Sequence, residues 1–251
     1  MSDKSNHNSK PKPKAAVTIL HLYPEELNIY GDMGNVATLV KRLEWRGYRV
    51  LVKRAGVGQP APIAGADIIF GGGGQDRGQV VVGRDLQRHS KALHPALKAG
   101  TPMLAICGTY QLFGRGFTTL EGEVIPGIGL FAASTFGSEQ RMIGNVIIDS
   151  PFGQLVGFEN HSGRTLLEAG QQSLGRVVQG YGNDGRSGNE GAIANNAIGT
   201  YLHGPLLPKN PALADHIIKI ALERKFGPTE IGPLDDTVEL AAAKTAASRD
   251  Q

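Results

Sequence analysis

A single cysteine, Cys107, stands between an apolar run and a glycine in TPMLAICGTYQLFG, Thr101 to Gly114. A strand over Met103 to Ile106, a sharp turn at Cys107 and a helix from Gly108 would lift the thiol above the edge of a parallel sheet. The N-terminus of that helix would favour the thiolate over the thiol. A cysteine that is merely a small buried apolar residue fits the same local pattern. What separates the two readings is whether the chain also supplies a proton carrier, donors for an oxyanion and a group that holds a substrate.

Candidates for all three are present. His203, in Tyr201-Leu202-His203-Gly204-Pro205, follows a strand-like run and precedes a helix that begins with Asn210 and Pro211, a good N-cap and a good first helical residue. That is a rigid post for a general base. Its rival among the seven histidines is His161, read as lying in a polar turn, Glu159 to Thr165. The run Gly71 to Gly74 follows a short apolar stretch, where a glycine backbone can approach a ligand and offer N–H groups. It lacks the Lys-Ser or Lys-Thr of a P-loop and the spacing of a dinucleotide fingerprint, so an oxyanion donor and a plain flexible loop are the readings left. Arg141, after a polar loop, could form a two-pronged pair with a substrate carboxylate, or simply be solvated.

These residues must be brought to one place by the elements around them. Ala15 to Tyr23 has the composition of a buried strand, and Val36, Leu39, Val40 and Leu43 mark one face of a helix that Asp32 or Asn35 could cap and Gly47 would end. Tyr48 to Val52 and Ala66 to Phe70 are further strands, and strand, helix, strand at these lengths implies parallel pairing. A helix over Asp85 to Ala99, with Pro95 as a possible kink, leads into the Cys107 strand. The order β, α, β, β, α, β suits a doubly wound sheet with its site at the C-terminal strand edges. Beyond Gly114, the runs Gly127 to Phe131, Arg141 to Asp149, Arg176 to Gln179 and Gly191 to Tyr201 read as mostly antiparallel strands completing one side of that sheet.

Composition narrows the function classes. With 251 residues and 40% hydrophobic content the chain can fill one large core. One cysteine excludes an internal disulfide framework and a zinc site built on several thiolates, as in a reducing cytoplasm. The first fourteen residues carry Lys4, Lys10, Lys12 and Lys14 against Asp3, which accounts for the whole net charge of +3. Residues 1–14 are therefore expected to be a disordered basic tail, without the apolar block of a signal peptide, and net charge does not support a nucleic-acid-binding face. No stretch approaches the roughly 20 apolar residues of a membrane span. The main domain is expected over 15–226, with a short helix and a frayed tail over 227–251.

The segment ICGTYQ resembles the nucleophile segment of class I glutamine amidotransferases of the branch related to cobyric acid synthase. LNIYGDMGN, GGGGQD, CGTYQLFG, GFENHSGRT and GTYLHGPLLPKNP, in that order, resemble more narrowly the GatD family, glutaminase subunits of lipid II isoglutaminyl synthases. The similarity extends from about Ile19 to the last helix, nearly the whole folded body. The resemblance implies an α/β fold with a flavodoxin-like sheet, mostly parallel with antiparallel additions, and helices on both faces. It implies Cys107 as nucleophile, His203 as catalytic histidine and Arg141 as the holder of L-glutamine. The glycine run, with Gly72 or Gly73, and Gly108 would then be oxyanion-hole elements, while Gln111 would line the pocket, a position that packing explains equally well. It further implies a MurT-like Mur ligase partner in a heterodimer, which takes ammonia to amidate the D-glutamate of lipid II. ATP and magnesium are expected on that partner, no cofactor or metal in this chain, and a location in the cytoplasm at the inner face of the membrane.

One position departs from the pattern. Class I amidotransferases mostly carry a glutamate two residues after the catalytic histidine, where this chain has Pro205. The resemblance implies that an aspartate of the ligase subunit takes its place, leaving the isolated subunit poorly active. An amidotransferase for another acceptor such as cobyrinic acid, a scaffold without turnover and a bare cysteine hydrolase are the competing readings. No ATP-using domain fits within the chain, which weighs against the first.

Overall fold

A computed structural model describes residues 14–74 and 76–249 of the chain, without the side chains of 14, 15, 76 and 77. The expected basic tail thus lies outside the described residues except for Lys14, which begins the first strand. The central sheet is built from β1 (Lys14–Leu22), β2 (Tyr48–Ala55), β3 (Ile68–Gly71) and β4 (Met103–Ile106), joined through α1 (Met33–Trp45) and α2 (Asp76–Lys98). A short helix α3 (Gly108–Phe113) follows β4. Next come β5 (Gly116–Thr118), β6 (Val124–Pro126), β7 (Ala133–Phe136), β8 (Met142–Ser150) and β9 (Gly153–His161). The remaining strands are β10 (Arg164–Leu167), β11 (Gly175–Gln179), β12 (Asn189–Glu190), β13 (Ala192–Ala194) and β14 (Ala197–Thr200). Two helices, α4 (Pro211–Phe226) and α5 (Thr237–Ala247), end the chain.

The central sheet has the order β13-β14-β4-β3-β1-β2, all neighbours parallel except the β13–β14 hairpin at one edge. The chain moves from β1 outward to β2, returns to β3 on the other side of β1, and continues to β4. Right-handed crossovers in opposite directions place α1 and α2 on opposite faces. The reversal also opens a crevice between β1 and β3 at their C-terminal ends, the usual place for a ligand in such a sheet. β3 and β4 are short and wholly buried, as strands covered on both faces must be.

The later strands do not complete the central sheet as expected; only β13 and β14 join it. β10-β7-β5-β6 and β12-β11-β8-β9 form two further four-stranded sheets. Strand composition cannot reveal this, because sheet membership depends on which backbone edge is left unpaired. Residues 127–131 are not a strand, and the run from Gly191 splits at a turn over Asn195, which has φ 53°. α2 starts about two and a half turns before the predicted helix and continues through Pro95.

Two polar devices fix the end of the chain. Arg42 of α1, 1% exposed, forms ion pairs with Asp215 (2.7 Å) of α4 and Asp236 (2.5 Å), the residue before α5. Asn145 donates to the carbonyl of Arg249 at 3.1 Å, so the segment predicted to fray is tied down as far as residue 249. Arg42→Met leaves two carboxylates facing an apolar side chain and is expected to destabilise the fold by about 3 kcal/mol. Urea unfolding of the full chain tests this, and an unchanged midpoint would exclude a stabilising role. Among the described residues no helix is long and apolar enough to cross a membrane.

Candidate active site

Cys107 sits at the predicted elbow. Its backbone has φ 46° and ψ −100°, a region that L-residues seldom occupy and that costs on the order of 1–3 kcal/mol. The turn is held on both sides, by the Cys107 N–H donating to the Thr200 carbonyl (2.8 Å) and the Gln111 N–H donating to the Cys107 carbonyl (2.9 Å). Strain kept in place by two neighbouring elements is what a nucleophile elbow requires.

His203 is fully buried and pinned by a two-way backbone bridge to Phe158 of β9, at 2.8 and 3.1 Å. Its Nδ1 faces the carboxylate of Asp32, 3.3 Å from Oδ1 and 3.2 Å from Oδ2. Nε2 has no hydrogen-bond partner of good geometry among the described residues, although Cys107 lies close enough to act on the ring. Burial alone would lower the imidazole's pKa. A negative charge at Cys107, the hydrogen bond from the ring to Asp32, the nearness of the Cys107 sulfur and the Asp32 charge outweigh it and push the pKa up to about 10. The edge of Tyr30, itself at φ 53°, packs on the His203 ring with centroids 5.0 Å apart.

Asp32 thus faces His203 from within the chain, at the position for which the resemblance implied an aspartate of another subunit. Asp32 lies in the loop after β1, at the same C-terminal sheet edge as Cys107. It occupies the N-cap position of α1 but makes no side-chain cap, because both its oxygens face inward. Pro205, at the position of the missing glutamate, instead packs its ring over Gly34, where an added Cβ would stand 2.5 Å from the proline Cγ. In sequence Asp32 has the signature of a cap; the signal available was an aspartate just beyond a parallel strand beside the glycine run.

One of the expected oxyanion donors is already engaged. The Gly73 N–H donates to Asp32 Oδ2 at 2.7 Å and is not free, and neither Gly72 nor Gly73 lines the cavity beside Cys107. Gly74 does line it, and its amide nitrogen lies 3.0 Å from where a Cβ on Gly108 would stand. The N–H groups of Gly74 and Gly108 make no hydrogen bond to any described residue and form the available pair.

That cavity has a volume of about 650 Å³ and includes Cys107, Gln111, Arg141 and His161 in its lining. Antiparallel pairing of β8 with β9 puts Met142 opposite His161, which brings Arg141 to the mouth of the cavity beside Asn160. Arg141 Nε donates to Asn160 Oδ1 at 2.6 Å, and Asn160 Nδ2 donates to the Tyr30 hydroxyl at 2.6 Å. Tyr30 and Asn160 were missed in the sequence, since their link spans 130 positions. Gln111 donates to the Tyr201 hydroxyl at 3.0 Å, leaving its Oε1 unpartnered.

His161 is not in a turn but ends β9. Its ring lies flat on Tyr201, with centroids 3.6 Å apart, while Nδ1 contacts the Gly163 carbonyl at 2.8 Å and Nε2 is 3.5 Å from Glu159. Asn210 likewise makes no helix cap. Its amide bridges instead to Val156 and Leu206, fixing the segment after His203.

Behind the site, burial pushes the Glu190 carboxyl up to about 8. Hydrogen bonds from the Tyr201 N–H, the Thr200 hydroxyl and the Gly191 N–H oppose this shift, and the Glu159 charge adds to it. A folded pKa above the ordinary 4.5 means that this group favours the fold most below the ordinary value, an advantage lost as pH rises through about 8. Glu190→Gln, always neutral, is expected to raise Tm relative to the parent more at about pH 9 than at about pH 5. Equal differences at both pH values in thermal melts would contradict the buried-acid assignment.

Several known proteins are similar to the chain. Residues 18–211 match the CobB/CobQ-like glutamine amidotransferase domain. The subunit GatD of lipid II isoglutaminyl synthase (glutamine-hydrolyzing) from Staphylococcus aureus is 38% identical over 234 residues, covering 93% of this chain and 96% of that protein. The same subunit from Streptococcus pneumoniae is 36% identical over 214 residues, covering 84% and 82%. A cobyric acid synthase from Pelotomaculum thermopropionicum is 33% identical over 147 residues, 52% of this chain but 27% of that larger protein. Among solved structures, a glutamine amidotransferase from Thermotoga maritima superposes with a TM-score of 0.52 over 91% of this chain and 90% of its own, at 17% identity. A second glutamine amidotransferase gives 0.56 over 80% and 98%, at 13% identity. At such identities the structures speak for the fold alone.

Proposed function

Because the chain belongs to the CobB/CobQ-like glutamine amidotransferase family, we propose that it hydrolyses L-glutamine at Cys107 as the glutaminase subunit of a lipid II isoglutaminyl synthase. The observation that carries this reading is Cys107 on a strained elbow with the buried His203–Asp32 pair beside it. The thiolate attacks the carboxamide carbon of glutamine, and the N–H groups of Gly74 and Gly108 receive the oxyanion. Each such donor is worth on the order of 3 kcal/mol. Protonated His203 gives its proton to the departing nitrogen, releasing ammonia and leaving a γ-glutamyl thioester. Neutral His203 then takes a proton from water, which hydrolyses the thioester to glutamate and restores the thiolate.

Arg141 is assigned to the α-carboxylate of glutamine, with Asn160 holding its Nε so that the terminal nitrogens can form the two-pronged contact. Arg141→Lys keeps the charge but loses the fork. It is expected to raise KM for glutamine by about tenfold with little change in kcat. A lowered kcat at unchanged KM would remove Arg141 from substrate binding.

The relatives are named as subunits of a lipid II isoglutaminyl synthase; in this proposal the other subunit is a ligase of the MurT type, to which ammonia passes and which amidates the D-glutamate of lipid II. ATP and magnesium belong to that partner in this proposal, and the complex works in the cytoplasm at the inner face of the membrane. A glutamine-analogue electrophile such as 6-diazo-5-oxo-L-norleucine tests the core of it. Mass spectrometry is expected to find the adduct on Cys107, with protection by glutamine. Absence of labelling, together with no ammonia release by the full chain, would sink the assignment. Because Asp32 orients His203 from within the chain, the full chain alone is expected to release ammonia from glutamine.

A further inference from the structure

Gln79 on α2 has no part in the chemistry above, yet it lines the same cavity as Cys107 and is 2% exposed. Its Nε2 donates to the Gly74 carbonyl at 3.2 Å, the orientation that puts a donor on an acceptor. The other end of the amide, Oε1, is fully buried and has no hydrogen-bond partner among the described residues. A buried carbonyl oxygen without a donor bears its full desolvation penalty unless a ligand supplies the donor.

Its place in the cavity says which ligand atom that is. A Cβ on Gly108 would stand 2.8 Å from Gln79 Nε2 and 3.0 Å from the Gly74 amide nitrogen. The Nε2 end of the Gln79 amide therefore lies against Gly108 and beside the Gly74 amide, at the Cys107 end of the cavity, with Oε1 on the same amide carbon. The oxygen and nitrogen of a carboxamide share one carbon, so a group next to the oxygen's donors is within reach of the NH₂. Among the described residues no carboxylate lines the cavity, and Arg141 is the only lining side chain with a permanent charge.

We propose that Gln79 is a specificity-determining residue, whose Oε1 accepts a hydrogen bond from the NH₂ of the substrate's side-chain carboxamide. This rests on the glutaminase reading and deepens it. A carboxamide presents a donor to Gln79, whereas the ionised side chain of glutamate presents a second acceptor. Substrate is thus favoured over product at the reacting end, while both share the contact with Arg141. A site built around a hydrogen bond rejects a ligand lacking the matching group.

The test uses the full chain with Cys107→Ser, so that glutamine binds without turnover, titrated calorimetrically with L-glutamine and L-glutamate. Gln79→Met is expected to weaken glutamine by about tenfold and leave glutamate unchanged or tighter. Gln79→Glu keeps an acceptor but loses the donor to Gly74, and is expected to retain the preference for glutamine. With Gln79 intact, γ-N,N-dimethyl-L-glutamine, which has no side-chain donor, is expected to bind at least about tenfold more weakly than glutamine. This last comparison does not depend on how any Gln79 variant folds. Equal weakening of both ligands by Gln79→Met, or the same loss of preference in both variants, would mean that Gln79 only holds the Gly74 loop. Undiminished binding of the dimethyl analogue would overturn the proposal as well. If the parent binds no glutamine at all, the glutaminase reading falls and this inference falls with it.

Discussion

Asp32→Asn is expected to lower glutamine hydrolysis by roughly 10³–10⁴-fold and to move the alkaline limb of the pH–rate profile toward lower pH. The carboxylate does two jobs that an amide cannot combine: it accepts from Nδ1 of His203 at 3.2 Å and from the Gly73 N–H at 2.7 Å, both through Oδ2. An amide presents one oxygen and one donor nitrogen: with its oxygen at the Oδ2 position its NH₂ stands where Oδ1 is, 3.3 Å from Nδ1, and turned over it sets the NH₂ against both Nδ1 and the Gly73 N–H, so the imidazole meets a donor either way. That favours the wrong tautomer of His203 and turns its ring. The direction of the pH effect follows from the forces on His203. Asp32 contributes both a hydrogen bond and a negative charge to holding its pKa up at about 10 against burial. Without them the imidazole loses its proton at lower pH, and the acid that assists ammonia departure disappears there. The same shift stabilises the fold, fully below the ordinary value of 6.5, with the contribution lost as pH rises through about 10. Profiles of kcat and kcat/KM for ammonia release decide the matter. A variant with parental rates and an unmoved alkaline limb would reduce Asp32 to a helix-cap position.

Gly73→Ala is expected to reduce kcat by about 10²-fold while the fold persists. The reason is contact and not conformational freedom, since this glycine lies outside the left-handed region. An added Cβ would stand 2.5 Å from Cε1 of His203 and 3.2 Å from both Asp32 Oδ2 and Ile29 Cγ1. His203 is pinned to Phe158 on its backbone side and covered by Tyr30, so its ring can escape only by leaving Asp32 or Cys107. A displacement near 1 Å in a reacting group costs rates of that order. Steady-state kinetics with a thermal melt alongside test it. The expected result is a large fall in kcat with a small change in Tm, and unimpaired kcat would show that His203 has room to move.

The elbow at Cys107, the post at His203 and the place of Arg141 were all legible locally. In each case a short stretch carries its own physical cause, such as an apolar run broken by glycine, or an Asn-Pro helix start. The parallel half of the central sheet was legible too, because alternating strand and helix patterns of that length pair only one way. The antiparallel strands beyond Gly114 were visible as strands but not as two separate sheets. His161 was misplaced because Glu159, Asn160, His161 and Ser162 form an unbroken polar run ahead of Gly163, a composition that a loop shares.

From sequence alone, then, come the elbow at Cys107, the post of His203 and the topology that carries them to one sheet edge, since each depends on residues close together in the chain. Tertiary structure alone decided what completes them. Asp32 meets His203 across 171 positions, and the reversal of crossover direction at β1 brings the loop after that strand beside the glycine run after β3. Asp32 could equally have capped α1, as its spacing suggested. It turns inward because a buried imidazole and the Gly73 N–H both require an acceptor there, and among the described residues no other carboxylate lies within hydrogen-bond reach of Nδ1.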